Sequence, residues 1–130
     1  MSELVELTYL QEELEEHMFD EAPMECVGLL LWNGDLVRLR NQADSPSRFF
    51  VNPQQLEDNM HILKSVPPLA LYHSHPHREA IPSGEDERFM RYLVTVWPHV
   101  HHIILSPHGH RAYHVADNEI VERTLPWLIS

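Results

Sequence analysis

The sequence has 130 residues and a formal net charge of −11, from 9 basic and 20 acidic residues with histidine counted neutral. A hydrophobic content of 43% fits a globular chain, and the length suits one domain, residues 1–130, that can close its own core. An acidic surface repels phosphate backbones, and no run approaches the roughly 20 apolar residues that cross a bilayer, so nucleic acid and membrane are excluded as partners. The start, Met1-Ser2-Glu3-Leu4-Val5-Glu6, lacks the basic region and apolar core of a signal peptide. The single cysteine, Cys26, rules out an internal disulfide, and both features point to a reducing cytoplasm.

Thr8 with Gln11 resembles a capping box that opens a helix running to about Asp20, with Leu10, Leu14, Met18 and Phe19 as its apolar stripe. Residues 26–32 are nearly all apolar, as in a strand covered on both faces. Asn33-Gly34 then predicts a type I′ hairpin turn, with residues 36–40 as the returning strand. Residues 41–47 read as loop and residues 48–51 as a short strand. Asn52 and Pro53 open a helix carrying Leu56, Met60 and Leu63, which ends before Pro67-Pro68. Residues 69–72 form a buried strand delivering His73, and Ser83 caps a helix with Phe89, Met90, Leu93 and Val94 on its apolar face. Strands at 102–105 and 111–115 flank a turn at Pro107-His108-Gly109; a further turn at Asp117-Asn118 leads to a last strand at 119–125. Helices interleaved with strands and hairpins predict an α/β domain with a mixed sheet covered by helices. The apolar end at 125–129 is expected to finish the core, and oligomeric state is not legible.

Chemistry concentrates between His73 and Asp86. His73 and His75 stand two apart where a strand ends, so both side chains can project from one side. His-x-His alone is weak on a chain with eleven histidines, since the same spacing recurs at His99/His101 and His108/His110. Ser83-x-x-Asp86 is also an ordinary helix start, with a serine cap and an acid in the first turn. A loop stiffened by two prolines nevertheless returns that helix start toward the strand end, where open α/β sheets place their sites. Two histidines and one carboxylate make the three protein ligands of a hydrolytic zinc centre. The same set suits iron(II) oxygenases, but the stiff return to Asp86 favours zinc. The remaining histidines read as structural or solvated.

His-Ser-His-Pro, with seven residues between the second histidine and Ser and two more before Asp, resembles the signature of the JAMM (MPN-plus) metalloproteases in residue types and spacing. Pro23-Met24-Glu25-Cys26-Val27-Gly28-Leu29-Leu30 is similar to the family's upstream glutamate segment, with the cysteine one place early and Val27 in its usual position. The likeness runs from about residue 3 to residue 96. It implies an α/β domain of cytidine-deaminase-like architecture with a largely antiparallel mixed sheet. It implies one zinc ion per chain on His73, His75 and Asp86, Glu25 as general base, and Ser83 as oxyanion donor. Composition alone does not choose Glu25 over Glu79, Glu85 or Glu87, so that role rests on the resemblance.

The resemblance further implies a peptidase or isopeptidase acting at the C-terminal tail of a small ubiquitin-like or sulfur-carrier protein. Only nine residues, 94–102, separate the helix after Asp86 from the next strand, which leaves little room for the insertions that grip ubiquitin chains. A minimal prokaryotic or viral enzyme is therefore expected. The competing readings are a phage tail-assembly or cell-wall peptide hydrolase with the same chemistry, and a non-catalytic scaffold that keeps the fold. The second is disfavoured because all five residues are present.

Overall fold

A computed structural model describes residues 3–43, 45–52, 54–55 and 68–124, with residues 3–8 described by their backbone alone. Its elements are helix α1 (Glu3–Glu21), strands β1 (Val27–Leu31), β2 (Leu36–Leu39) and β3 (Pro68–Ser74), helix α2 (Gly84–Val96), and strands β4 (His101–Leu105), β5 (Arg111–Ala116) and β6 (Glu119–Arg123). The described strands form one six-stranded sheet in the order β2-β1-β3-β4-β5-β6. Only β3 and β4 pair in parallel, and every other neighbour is antiparallel. The mixed, largely antiparallel sheet expected from the sequence is therefore present.

The alternation of side chains along the strands explains how the two helices are distributed. Leu30, Ala70, Tyr72, Ile103 and Leu105 pack with Leu10, Leu14 and Met18 of α1. Leu29 and Leu71 join Leu93 of α2, while Ile104 and Tyr113 join Met90 of the same helix. Each helix thus covers one face, and β1 is buried throughout, as a strand between two layers must be. The single parallel pair requires a crossover, which α2 supplies between β3 and β4. That crossover brings the start of α2 back to the end of β3.

Several expected elements differ. Helix α1 already includes Thr8, which therefore cannot be its N-cap, and Phe19 faces solvent while His17 takes the inner position. Asn33-Gly34 does not form a type I′ turn, because only Gly34 has positive φ (92°). Leu31 N–H donates to Asp35 O and Gly34 N–H to Leu31 O, closing a three-residue loop with glycine at the left-handed position. Asp117 and Asn118 instead carry positive φ (51° and 65°) at the β5–β6 turn. Residues 48–51 are not a strand. The Asn41 side chain takes the backbone groups that a sheet neighbour would use, accepting from Phe50 N–H and donating to Arg48 O. Asn52 caps Gln54 as expected, but the rest of that helix and the terminal 125–129 stretch lie outside the described residues.

Candidate metal centre

The end of β3 carries the first two site residues. His73 lies in β3 and His75 one residue beyond it, both fully buried. Beside them runs the entry to β1. Cys26 N–H donates to Ser74 Oγ at 2.8 Å and Ser74 N–H to Cys26 O at 3.1 Å, which fixes Glu25 at the same sheet end. Asn41 Nδ2 donates to Glu25 O at 2.8 Å and holds that backbone from the other side. Cys26 is a packing residue, since burial pushes its thiol up to about 12.

The third side arrives with α2. Ser83 Oγ accepts Asp86 N–H at 3.1 Å and Asp86 Oδ2 accepts Ser83 N–H at 3.0 Å, a reciprocal cap that fixes the carboxylate. The helix-start role and the inward-facing acid are thus one arrangement. Asp86 Oδ2 lies 3.2 Å from His73 Nε2 and 3.0 Å from His75 Nε2, and the two nitrogens are 3.2 Å apart. Burial raises the Asp86 carboxyl, but the His73 and His75 rings beside it and the Ser83 N–H outweigh that and hold it far below the usual carboxylate range. Desolvation keeps His73 below its ordinary value despite Asp86.

Ligands of a tetrahedral ion with bonds of about 2.0–2.1 Å lie about 3.3 Å from one another, so this triangle fits a small N/O-ligated ion. Nitrogen and carboxylate donors are also the chemistry zinc takes. His75 Nδ1 lies 2.8 Å from Glu79 O, which can only accept, so the ring's proton sits on Nδ1 and the Nε2 lone pair points into the triangle. His73 Nδ1 contacts His102 Nε2 at 3.0 Å. Glu25 is close as well, with one carboxylate oxygen and the nitrogens of His73 and His75 all within 4.8 Å of one another. The Asp86 triangle is the tighter of the two sets and the better match to three ligands, which leaves Glu25 at one remove.

Glu25 is 1% exposed; its Oε2 pairs with Arg78 Nη2 at 3.0 Å, and its Oε1 has no hydrogen-bond partner among the described residues. Burial pushes its carboxyl up to about 7, with His75 and Arg78 pulling against that rise. Two clefts of about 360 Å³ each open beside this centre. One is lined by Ser83, Asp86, Phe49, Phe50, Phe89 and Tyr92, the other by Glu25, His75, His77 and Arg78. All five residues singled out in the sequence therefore meet at one place. Arg78, Asn41 and His102 were missed, and each joins the site through a contact that no short motif encodes.

A mixed sheet returns a helix start to the end of its parallel pair, and the histidines and carboxylates gathered there are compatible with a metal site. The chain belongs to the prokaryotic homologs of the JAB domain, a family whose pattern matches residues 7–119. It is 32% identical over 120 residues to a probable TtuB-protein conjugate cleaving protease of Thermus thermophilus, covering 86% of this chain and 76% of that one. In fold it is similar to protein DSY2949 of Desulfitobacterium hafniense, with a TM-score of 0.68 and 22% identity over 88% of this chain and 86% of the other. The resemblance read from the His73–Asp86 and Glu25 segments is therefore borne out at the level of family.

Proposed function

We propose that the chain is a zinc-dependent peptidase or isopeptidase that cuts at the C-terminal tail of a small ubiquitin-like or sulfur-carrier protein. The observation that carries this reading is the 3.0–3.2 Å triangle of His73, His75 and Asp86 with the buried Glu25 beside it. The relative's name, a protease that cleaves a protein conjugate, supports a protein rather than a free small molecule as substrate.

His73 Nε2, His75 Nε2 and Asp86 Oδ2 would hold the ion. Zinc, when bound, supplies Lewis acidity and brings the pKa of a water molecule toward about 7. Glu25 accepts a proton at Oε1, the oxygen with no other partner among the described residues, and returns it to the leaving amine, a role worth typically 10²–10⁴-fold. Arg78 keeps Oε2 occupied and so leaves Oε1 for that proton. The Ser83 hydroxyl, whose oxygen accepts Asp86 N–H, has its own hydrogen free to donate to a developing oxyanion, worth roughly 3 kcal/mol for donors of this kind. The aromatic cleft beside Ser83 and the Arg78 cleft beside Glu25 would take the two sides of the cut bond.

The test is zinc content together with cleavage of a ubiquitin-like carrier extended past its Gly-Gly end. One zinc per chain is expected, lost in Asp86→Asn and His75→Ala. Glu25→Gln should retain zinc and lose turnover by at least about 10²-fold. Zinc content that survives both ligand changes would refute the ligand set, and full activity in Glu25→Gln would place the base elsewhere. Cleavage of cell-wall peptides but not of the carrier would favour the phage-type reading, and zinc without cleavage of either would favour a scaffold.

A further inference from the structure

Among the eleven histidines, His102 is set apart by where it lies. It sits inside β4, 4% exposed, on the face of the sheet that α2 covers. The parallel register pairs Leu71 with His102 and His73 with Ile104, so His102 occupies the rung next to His73 on the same face. His102 Nε2 is 3.0 Å from His73 Nδ1, and the rings meet edge to face with centroids 5.1 Å apart. Phe49 lies against His73 and Phe89 against His102, walling both rings. An apolar residue there would bring no polar atom of its own into the core, whereas His102 Nδ1 is buried with no partner among the described residues. A buried imidazole kept at that cost has a use.

We propose that His102 is the positioning residue of the metal centre: its Nε2 accepts the Nδ1–H of His73 and so fixes the tautomer whose Nε2 lone pair faces His75 and Asp86. This rests on the metal-centre reading above. The Glu79 carbonyl does the same for His75, but a carbonyl can only accept, whereas an imidazole can accept or donate. The His73–His102 pair therefore has two proton arrangements. With an ion held, both rings carry their proton on Nδ1. Without one, His102 Nε2–H donates to His73 Nδ1, and His73 Nε2–H donates to Asp86 Oδ2 across 3.2 Å. Ligands oriented by a partner of this kind typically bind metal 10–100-fold better than unsupported ones.

The test uses the full chain and zinc itself. Zinc affinity, measured by competition with a chromophoric chelator, should weaken about 10–100-fold in His102→Leu and largely recover in His102→Gln, whose amide oxygen can accept the same bond. The exposed His99→Ala should match wild type. Long-range ¹H–¹⁵N spectra of zinc-loaded wild type should show His73 and His102 both protonated at Nδ1. A folded His102→Leu that binds zinc as wild type does, or a zinc-loaded His102 protonated at Nε2, overturns the proposal. Should His102→Leu fail to fold, the wild-type tautomers decide alone. Wild type that binds no zinc removes the metal centre itself, whereas wild-type binding with unchanged affinity in His102→Leu removes only the positioning role.

Discussion

Arg78 is the residue on which the chemistry of Glu25 most directly depends. Its guanidinium reaches Glu25 Oε2 at 3.0 Å and Ser47 O at 3.4 Å, while its own carbonyl accepts the Ser106 hydroxyl at 2.7 Å. A base must be ionised to take a proton, so activity falls as pH drops through its pKa. Burial raises that pKa and the Arg78 cation lowers it. Arg78→Gln removes the cation and should move the acidic limb of kcat/KM to higher pH. Because the Arg78 side chain is 39% exposed, solvent screening keeps the shift modest, about half a unit to one unit. A limb that stays in place, or moves to lower pH, takes Arg78 out of the control of Glu25. Nothing near Arg78 in sequence announced this role. The spacing of His73, His75, Ser83 and Asp86 was legible because one loop and one helix cap bring them together. Glu25 was legible only through family likeness. Arg78 and Asn41 join through folded contacts 53 and 16 residues long, and His102 looked like any other strand histidine.

At the scale of elements, what was legible followed from periodicity, and what was missed turned on single side chains. The buried runs of β1 and β3 and the capped start of α2 needed no tertiary information. The turn at Asn33-Gly34 did, since Asn33 Oδ1 accepts Asp35 N–H and draws the loop to three residues. The strand expected at 48–51 was lost to Asn41 in the same way. Gly28 is a case where the element itself depends on one absent side chain. It pairs with Tyr72 across β1 and β3, and a Cβ placed there would overlap the Tyr72 ring and hydroxyl. Tyr72 is fully buried and cannot swing out, because its hydroxyl bonds His17 Nδ1 at 2.7 Å. Gly28→Ala should therefore destabilise the fold by about 1–3 kcal/mol through overpacking. Urea unfolding measures it; a change below about 0.5 kcal/mol would mean that the β1–β3 pair yields without cost.

At the scale of the whole molecule, two histidine contacts in the C-terminal half of α1 tie that helix to the sheet. His110 accepts Ser106 N–H at Nδ1 and so donates from Nε2 to Glu15 Oε2 at 2.8 Å. His17, 1% exposed and two residues further along α1, ties the same part of the helix to Tyr72. Desolvation lowers the His17 pKa to about 4, and desolvation likewise raises that of Tyr72, so the phenol donates to a neutral ring. In the unfolded chain this histidine titrates near its ordinary value of 6.5. Between pH 6.5 and 4 the unfolded state therefore binds a proton that the folded state refuses, and stability must fall as pH falls through that window. The stabilisation is fully present above 6.5 and lost by about 4, on the order of 3 kcal/mol for a shift of this size. Acid also relieves the repulsion of a chain with net charge −11, which acts in the opposite sense, so the His17 contribution must be read as a difference between variants. His17→Gln can still bond the Tyr72 hydroxyl but cannot titrate. Denaturant unfolding of both proteins across this range should show wild type losing stability relative to His17→Gln as pH falls, with the two curves parallel above 6.5. Curves that remain parallel down to pH 4 would show that His17 accepts its proton in the folded state, and would release α1 from any part in the acid sensitivity of the fold.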